Sequence, residues 1–396
     1  MPSSVPPRPH YRRKRSYLAL LLFALLLLST WSTVKAHLQS IALLDLVSGE
    51  KLPWALQRTI ADPVTVQDVQ LPGNIRARLY TPVHHPHAPG IVLFHGVHHL
   101  GIDEPRLMSF ARGLSSCGLR VLTPELPDIR DYHIDASSIT TIDQSAQWFA
   151  QQTHAPVGVM GLSFSGGLAL IAASDPQYAP SFRFIVAVGA HNSMGRVAEY
   201  YRTGHALLPG GSDEILPPHE YGALVLEYEH LEDFIPASDI AAIRSVLKAH
   251  LYEDPAAETR SMQQLTLAQR AEALDLMNAH SPHTQLLLEK NEELRAAEMA
   301  ALSPAGKLAS LHTPVFLLHG QADNIIPASE TLWNARELNP RTLRMELISP
   351  IISHVGMENS PTPSWLRHAG DEWQLIHFFA DVLQDAHKSL QPSLAH

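Results

Sequence analysis

The sequence predicts an α/β protein, built on a mostly parallel, doubly wound sheet with an inserted helical cap. Three observations carry that expectation. Short continuous apolar runs, Gly90–Phe94, Val157–Met160 and Pro314–Leu318, each end at a glycine-bearing turn, as strands buried on both faces do. Segments of helical period separate the earlier runs, which is the alternation of a parallel sheet. From about Met194 to Pro304 strand signals give way to roughly 110 residues of helix signals, and then the strand pattern resumes.

In chain order, the residues from Ile41 to about Leu71 are mixed and give no clear assignment. Val64–Leu71 and Ile75–Tyr80 alternate apolar and polar residues around Pro72-Gly73-Asn74, which predicts a hairpin. Gly90–Phe94 is a strand, Pro105–Leu114 a helix, Arg120–Thr123 a strand and Ser138–Gln151 a helix. The Val157 strand and the apolar helix after it follow, and Phe184–Val188 is a further strand. Within the helical block, Ala237–His250, Leu265–Met277 and Gln285–Ala301 carry helical periodicity, punctuated by Pro217-Pro218 and Glu253–Pro255. After the strand at Pro314 come a helix (Ala328–Leu338), a strand (Leu343–Ile348) and a terminal amphipathic helix (Asp371–Gln384). The chain therefore divides into a leader (1–36), a first core part (37–194), a helical insertion (195–303) and a second core part (304–396).

Composition narrows the function classes. With 396 residues, 45% of them hydrophobic and 17% charged, the chain can bury a large core. Its single cysteine, Cys117, excludes an intrachain disulfide and reads as a packing residue. Arg8, Arg12, Arg13, Lys14 and Arg15 precede an apolar run, Tyr17–Leu28, and a Val34-Lys35-Ala36 ending. That pattern predicts export, with residues 1–36 removed as a signal peptide or residues 17–34 kept as a membrane anchor. Without residues 1–36 the chain carries 23 basic against 39 acidic residues, a net charge of −16. Such a body repels phosphate backbones, so nucleic acid is not the expected partner. The clusters His84-His85-Pro86-His87 and His98-His99 lack carboxylates or cysteines at ligand spacing, and no metal is expected there.

The chemistry centres on Gly161-Leu162-Ser163-Phe164-Ser165-Gly166-Gly167. A strand, a tight turn and an apolar helix place Ser163 on a nucleophile elbow, where small residues must flank the serine. The pattern departs from G-x-S-x-G by Ser165, which is itself a second serine at elbow spacing. A serine hydroxyl needs a base, and the base needs an orienting acid. Asp323 lies three residues past Gly320, in the loop leaving a buried strand, and His354 lies in the loop after the next strand. Both loops fall on the carboxyl edge of the sheet, in the order serine, acid, histidine. His368 is the reserve base, and His377, in the last helix, reads as structural. The backbone N–H groups of Phe164 and Val97 are the expected oxyanion donors, and His95 reads as a brace for that loop.

These motifs (His95-Gly96, Gly161-x-Ser163, His319-Gly320-x-x-Asp323 and His354) make the chain resemble the α/β-hydrolase superfamily over roughly residues 70–194 and 304–385. The resemblance implies a Ser-His-Asp acyl-transfer mechanism on a small ester or amide substrate, with no cofactor. A carboxylic-ester hydrolase is the leading expectation. A serine peptidase or amidase, an acyltransferase and a non-catalytic binding protein of the same fold remain the alternatives.

Overall fold

The computed structural model describes residues 30–47, 61–352 and 365–388, with the backbone alone for 365–369. Its centre is an eight-stranded sheet in the order β1-β2-β4-β3-β5-β6-β9-β10. The strands are β1 (Val64–Leu71), β2 (Ile75–Pro82), β3 (Gly90–Phe94), β4 (Arg120–Pro124), β5 (Val157–Leu162), β6 (Phe182–Val188), β9 (Val315–Gly320) and β10 (Leu343–Ser349). Only β2 runs against its neighbours, β1 and β4; every other described pairing in this sheet is parallel. The chain steps from β3 out to β4, then back past β3 to β5 and on toward β10, so the β3–β4 crossover covers one face of the sheet and the β4–β5 and β5–β6 crossovers cover the other. This is the α/β-hydrolase fold.

Strand alternation sorts the core into two layers. On β3, Ile91 and Leu93 join one apolar cluster while Val92 and Phe94 join the other. The first layer packs under helices α1 (residues 30–47), α2 (Pro105–Ser116) and α12 (Trp365–His387), through Leu43, Leu107, Leu114 and Phe378. The second packs under α3 (Ala136–Thr153) and α4 (Phe164–Ala173), through Ile142, Phe149 and Leu168. Helix starts are capped locally: Glu104 accepts from Leu107 N at 2.7 Å and Asp135 from Ser137 N at 2.8 Å. Helix α4 is apolar all round and buries nine of its ten residues, so it can exist only inside the protein.

Between β6 and β9 stand α5 (Met194–Thr203), α6 (Glu220–Glu229), α7 (Ile240–Leu251), α8 (Pro255–Gln264), α9 (Leu267–Leu276) and α10 (Pro282–Leu294). A small hairpin of β7 (His205–Leu207) and β8 (Asp213–Ile215) interrupts them; three-residue strands leave no period to read. The periodic stretch 285–301 is two helices, broken at Arg295, and α8 carries no buried residue and so no apolar stripe. The chain continues through α11 (Ser329–Glu337) between β9 and β10.

Helix α1 crosses the leader boundary expected at Ala36: residues 30–35 are exposed, whereas Ala36, Gln39, Ser40, Ala42 and Leu43 are buried. Cys117 donates its thiol to Gln39 O and accepts Gln39 Nε2 at its own carbonyl, and burial pushes the thiol up to about 12. Most of the apolar run 17–34 lies outside the described residues, and no described helix is long and apolar enough to cross a membrane.

Asp143 on α3 is 4% exposed and its Oδ1 has no partner; burial raises its carboxyl to about 8, with Asp175 adding repulsion. The unfolded chain therefore sheds this proton from about pH 4 upward while the folded chain holds it, so stability is lost as pH rises toward 8. Asp143→Asn copies the protonated form. Its melting temperature should exceed that of wild type at pH 8 and match it more closely at pH 5; a constant difference would contradict the assignment.

Candidate active site

Ser163 joins β5 to α4 with φ 58° and ψ −133°, a left-handed conformation that a side chain adopts only under constraint. Its N–H donates to Val188 O on β6 at 2.7 Å, and its carbonyl accepts from Gly166 N at 2.9 Å. The turn is tight enough that a Cβ on Gly161 would lie 2.5 Å from Ser165 O and 2.6 Å from Gly166 Cα. Ser163 is 8% exposed, at the first turn of α4, beside the Phe164 N–H. Ser165 has a different place: it is fully buried, accepts from Leu162 N at 3.0 Å and donates to Leu162 O at 2.8 Å. Its hydroxyl braces the turn from within.

The loop after β3 runs alongside. A Cβ on Gly96 would stand 3.2 Å from Ser163 Cβ, a tight contact that shows how closely this loop approaches the serine. His95, 2% exposed, accepts from Leu126 N through Nε2 at 3.0 Å. Its proton is therefore on Nδ1, which donates to Gly96 O at 2.8 Å. In a trans peptide the N–H points opposite the carbonyl, so a held Gly96 O also sets the direction of the Val97 N–H. Burial lowers His95 to about 4, which keeps it neutral as this bonding requires.

Registers bring Asp323, the acid expected from the sequence, to the same edge. Leu162 pairs with Val188 and Val188 with Leu318, so β5, β6 and β9 end in one row. Asp323 follows β9, is 2% exposed, and accepts from Ile325 N at 2.9 Å and Ile326 N at 3.0 Å through Oδ1. His319 lies beneath: its Nε2–H donates to Ile326 O at 2.8 Å and stands 3.3 Å from Asp323 Oδ2, while Nδ1 accepts from Thr331 Oγ1 at 2.7 Å. The two backbone N–H groups and this histidine fix the carboxylate. Strand β10 ends at Ser349, paired with Gly320, and leaves by the same edge. His354 lies outside the described residues, as does the side chain of His368. His377 is placed away from this edge, half-exposed and 3.2 Å from His37 on α1.

Several parts of the site have no sequence signature. His191, after β6, is fully buried, holds Leu302 O through Nε2 at 2.9 Å, and packs its ring 5.3 Å from that of Phe164. Burial holds it at about 4. Glu330 on α11 accepts from Asn192 N, Ser193 N and Arg196, tying the loop after β6 to the helix that follows Asp323. A cavity of about 350 Å³ is lined mainly by the helical block, among others by Tyr201, His219, Glu220 and Met277, and meets this edge at Asn324; Ser163 and Asp323 do not line it. Among the described residues no group of histidines, cysteines or carboxylates could hold a metal ion. The His84 and His85 side chains are solvent-exposed beside Asp62.

Residues 135–355 match the model of the family described as X-Pro dipeptidyl-peptidase (S15 family). Solved structures similar to this chain include dipeptidyl peptidase 4 of Porphyromonas gingivalis, at 10% identity and a TM-score of 0.45, covering 84% of this chain and 37% of that one. Another is 2-hydroxy-6-oxo-6-phenylhexa-2,4-dienoate hydrolase of Rhodococcus sp. strain RHA1, at 16% identity and a TM-score of 0.41, covering 80% of this chain and 99% of that one. A membrane phospholipase A described as a bacterial virulence factor matches at 16% identity and a TM-score of 0.41, covering 94% and 99%. No curated protein matches.

The crowding at the elbow gives a direct test. Gly161→Ala should cost on the order of 1–3 kcal/mol or more, because backbone atoms and not a flexible side chain would have to move. Gly210→Ala, with nothing within 4 Å, should leave the melting temperature unchanged. Equal melting temperatures for both variants would show that the turn has slack.

Proposed function

Because this chain belongs to the S15 X-Pro dipeptidyl-peptidase family of α/β-hydrolases, we propose that it is a serine hydrolase whose preferred substrate is a small peptide or other amide. In this reading Ser163 Oγ attacks the substrate carbonyl carbon while His354 takes its proton, and Asp323 orients the imidazole and stabilises its charge. The negative charge that develops on the carbonyl oxygen accepts hydrogen bonds from the N–H groups of Val97 and Phe164. His354 then protonates the leaving amine, and water releases the acyl group from Ser163 by the same steps reversed. The observation that carries the reading is the strained turn at Ser163 with the Gly96 loop pressed against it.

A carboxylic ester is the second reading. An acyl-enzyme mechanism accepts any carbonyl with a leaving group, and an alkoxide leaves without the protonation an amine needs, so activated esters should turn over whatever the natural substrate is. The family match is what supports ranking the amide ahead of the ester. No cofactor enters either reading. Export, with residues 1–36 as a cleaved leader or residues 17–34 as an anchor, rests on the basic flank and apolar run of the sequence.

Xaa-Pro p-nitroanilides, other aminoacyl p-nitroanilides and p-nitrophenyl esters of graded chain length separate the readings in one panel. The proposal expects the highest kcat/KM among the amides on an Xaa-Pro substrate; cleavage of esters alone would overturn the peptidase reading. Asp323→Asn should lower kcat by about 10⁴, as a wrong-tautomer histidine does, with the fold retained. Near-normal turnover in that variant would reassign the acid.

A further inference from the structure

We propose that Tyr221, on the inserted helical block, is a positioning residue for the oxyanion loop; this rests on the reading of Val97 as an oxyanion donor. Tyr221 Oη donates to Val97 O at 3.2 Å, a contact 124 residues long in sequence. His95 already holds the carbonyl on one side of Val97, that of Gly96. Tyr221 holds the carbonyl on the other side. The Val97 N–H is thus bracketed by two fixed carbonyls in a loop whose glycine would otherwise leave it free to swing.

The lever behind Tyr221 is rigid. Helix α6 sits so close to α5 that a Cβ on Gly222 would lie 2.2 Å from the Tyr201 ring. The Tyr221 ring meets Tyr132 edge-on at 5.8 Å. Tyr132 is 1% exposed and takes φ 64°, a left-handed conformation that an aromatic residue keeps only where its surroundings dictate it. Its hydroxyl donates to Leu251 O, at the end of α7, at 2.6 Å. Tyr252, the next residue, stacks on His99 at 4.7 Å and so fixes the far end of the oxyanion loop. The same block reaches the acid loop, where Tyr200 Oη and His219 N both donate to Asn324 O, at 3.2 and 2.9 Å. The block therefore grips loops on both sides of Ser163, and its seating sets their separation.

The test is Tyr221→Phe, which deletes the hydroxyl and keeps the ring. With p-nitrophenyl acetate, kcat should fall by about three- to tenfold, the worth of one neutral hydrogen bond, while KM stays within twofold. Affinity for benzeneboronic acid, which forms a tetrahedral adduct on an active serine, should fall by the same factor. A purely structural role would lower the melting temperature of Tyr221→Phe without moving kcat or boronate affinity, and that outcome overturns the proposal. Should Tyr221→Phe fail to fold, the boronate affinity of Gly222→Ala, which displaces α6, takes its place, and an unchanged value overturns the proposal equally. If the wild-type protein forms no adduct at Ser163 with a fluorophosphonate, the catalytic reading itself falls, and the proposal with it.

Discussion

The turn at Ser163 is the constraint on which the rest of the structure depends. A non-glycine residue held at φ 58° costs on the order of 1–3 kcal/mol, and the cost persists only where packing leaves no alternative. Here strand β5 and helix α4 approach until no Cβ fits at Gly161, and the Ser163 N–H is tied to β6. The helix is buried on every side, so relaxing the turn would expose apolar surface. Two apolar layers, one on each face of the sheet, thus keep a single hydroxyl in a conformation the chain would not choose locally.

Three buried histidines complete the edge by a shared device. His95 after β3, His191 after β6 and His319 at the end of β9 are each 2% exposed or less. Each bonds backbone: His95 to Gly96 O and Leu126 N, His191 to Leu302 O, His319 to Ile326 O. A neutral imidazole offers one donor and one acceptor on a rigid ring; His95 and His319 use both, while His191 uses Nε2 and its buried Nδ1 has no hydrogen-bond partner among the described residues. Burial keeps His95 and His191 neutral at physiological pH. In the proposed mechanism none of the three moves a proton. They hold the Gly96 loop, the floor under Phe164 and the Asp323 loop, and the helical block closes the frame through Tyr221 and Tyr200.

What could be read in the sequence follows from physics. The central strands were legible because burial on both faces demands continuous apolar runs, and the elbow because its turn demands small residues at fixed offsets. Ser163 and Asp323 come at strand ends, where chain topology alone directs them to one edge. Helix α8 was not legible, since nothing in it is buried, nor was the 205–215 hairpin, whose strands are too short for a period. Helix α1 hid behind the leader pattern that overlaps it. Tyr132 and Tyr221 look like ordinary core aromatics in sequence; their roles lie in hydrogen bonds to carbonyls more than a hundred residues away.

The central claim is that one strained serine is the nucleophile, and the most direct measurement identifies the residue that a reactive electrophile modifies. The intact protein, treated with a fluorophosphonate near neutral pH, should gain one adduct, and peptide mapping by mass spectrometry should place it on Ser163. An adduct on Ser165 or any other residue, or no adduct on a folded protein, would contradict the account.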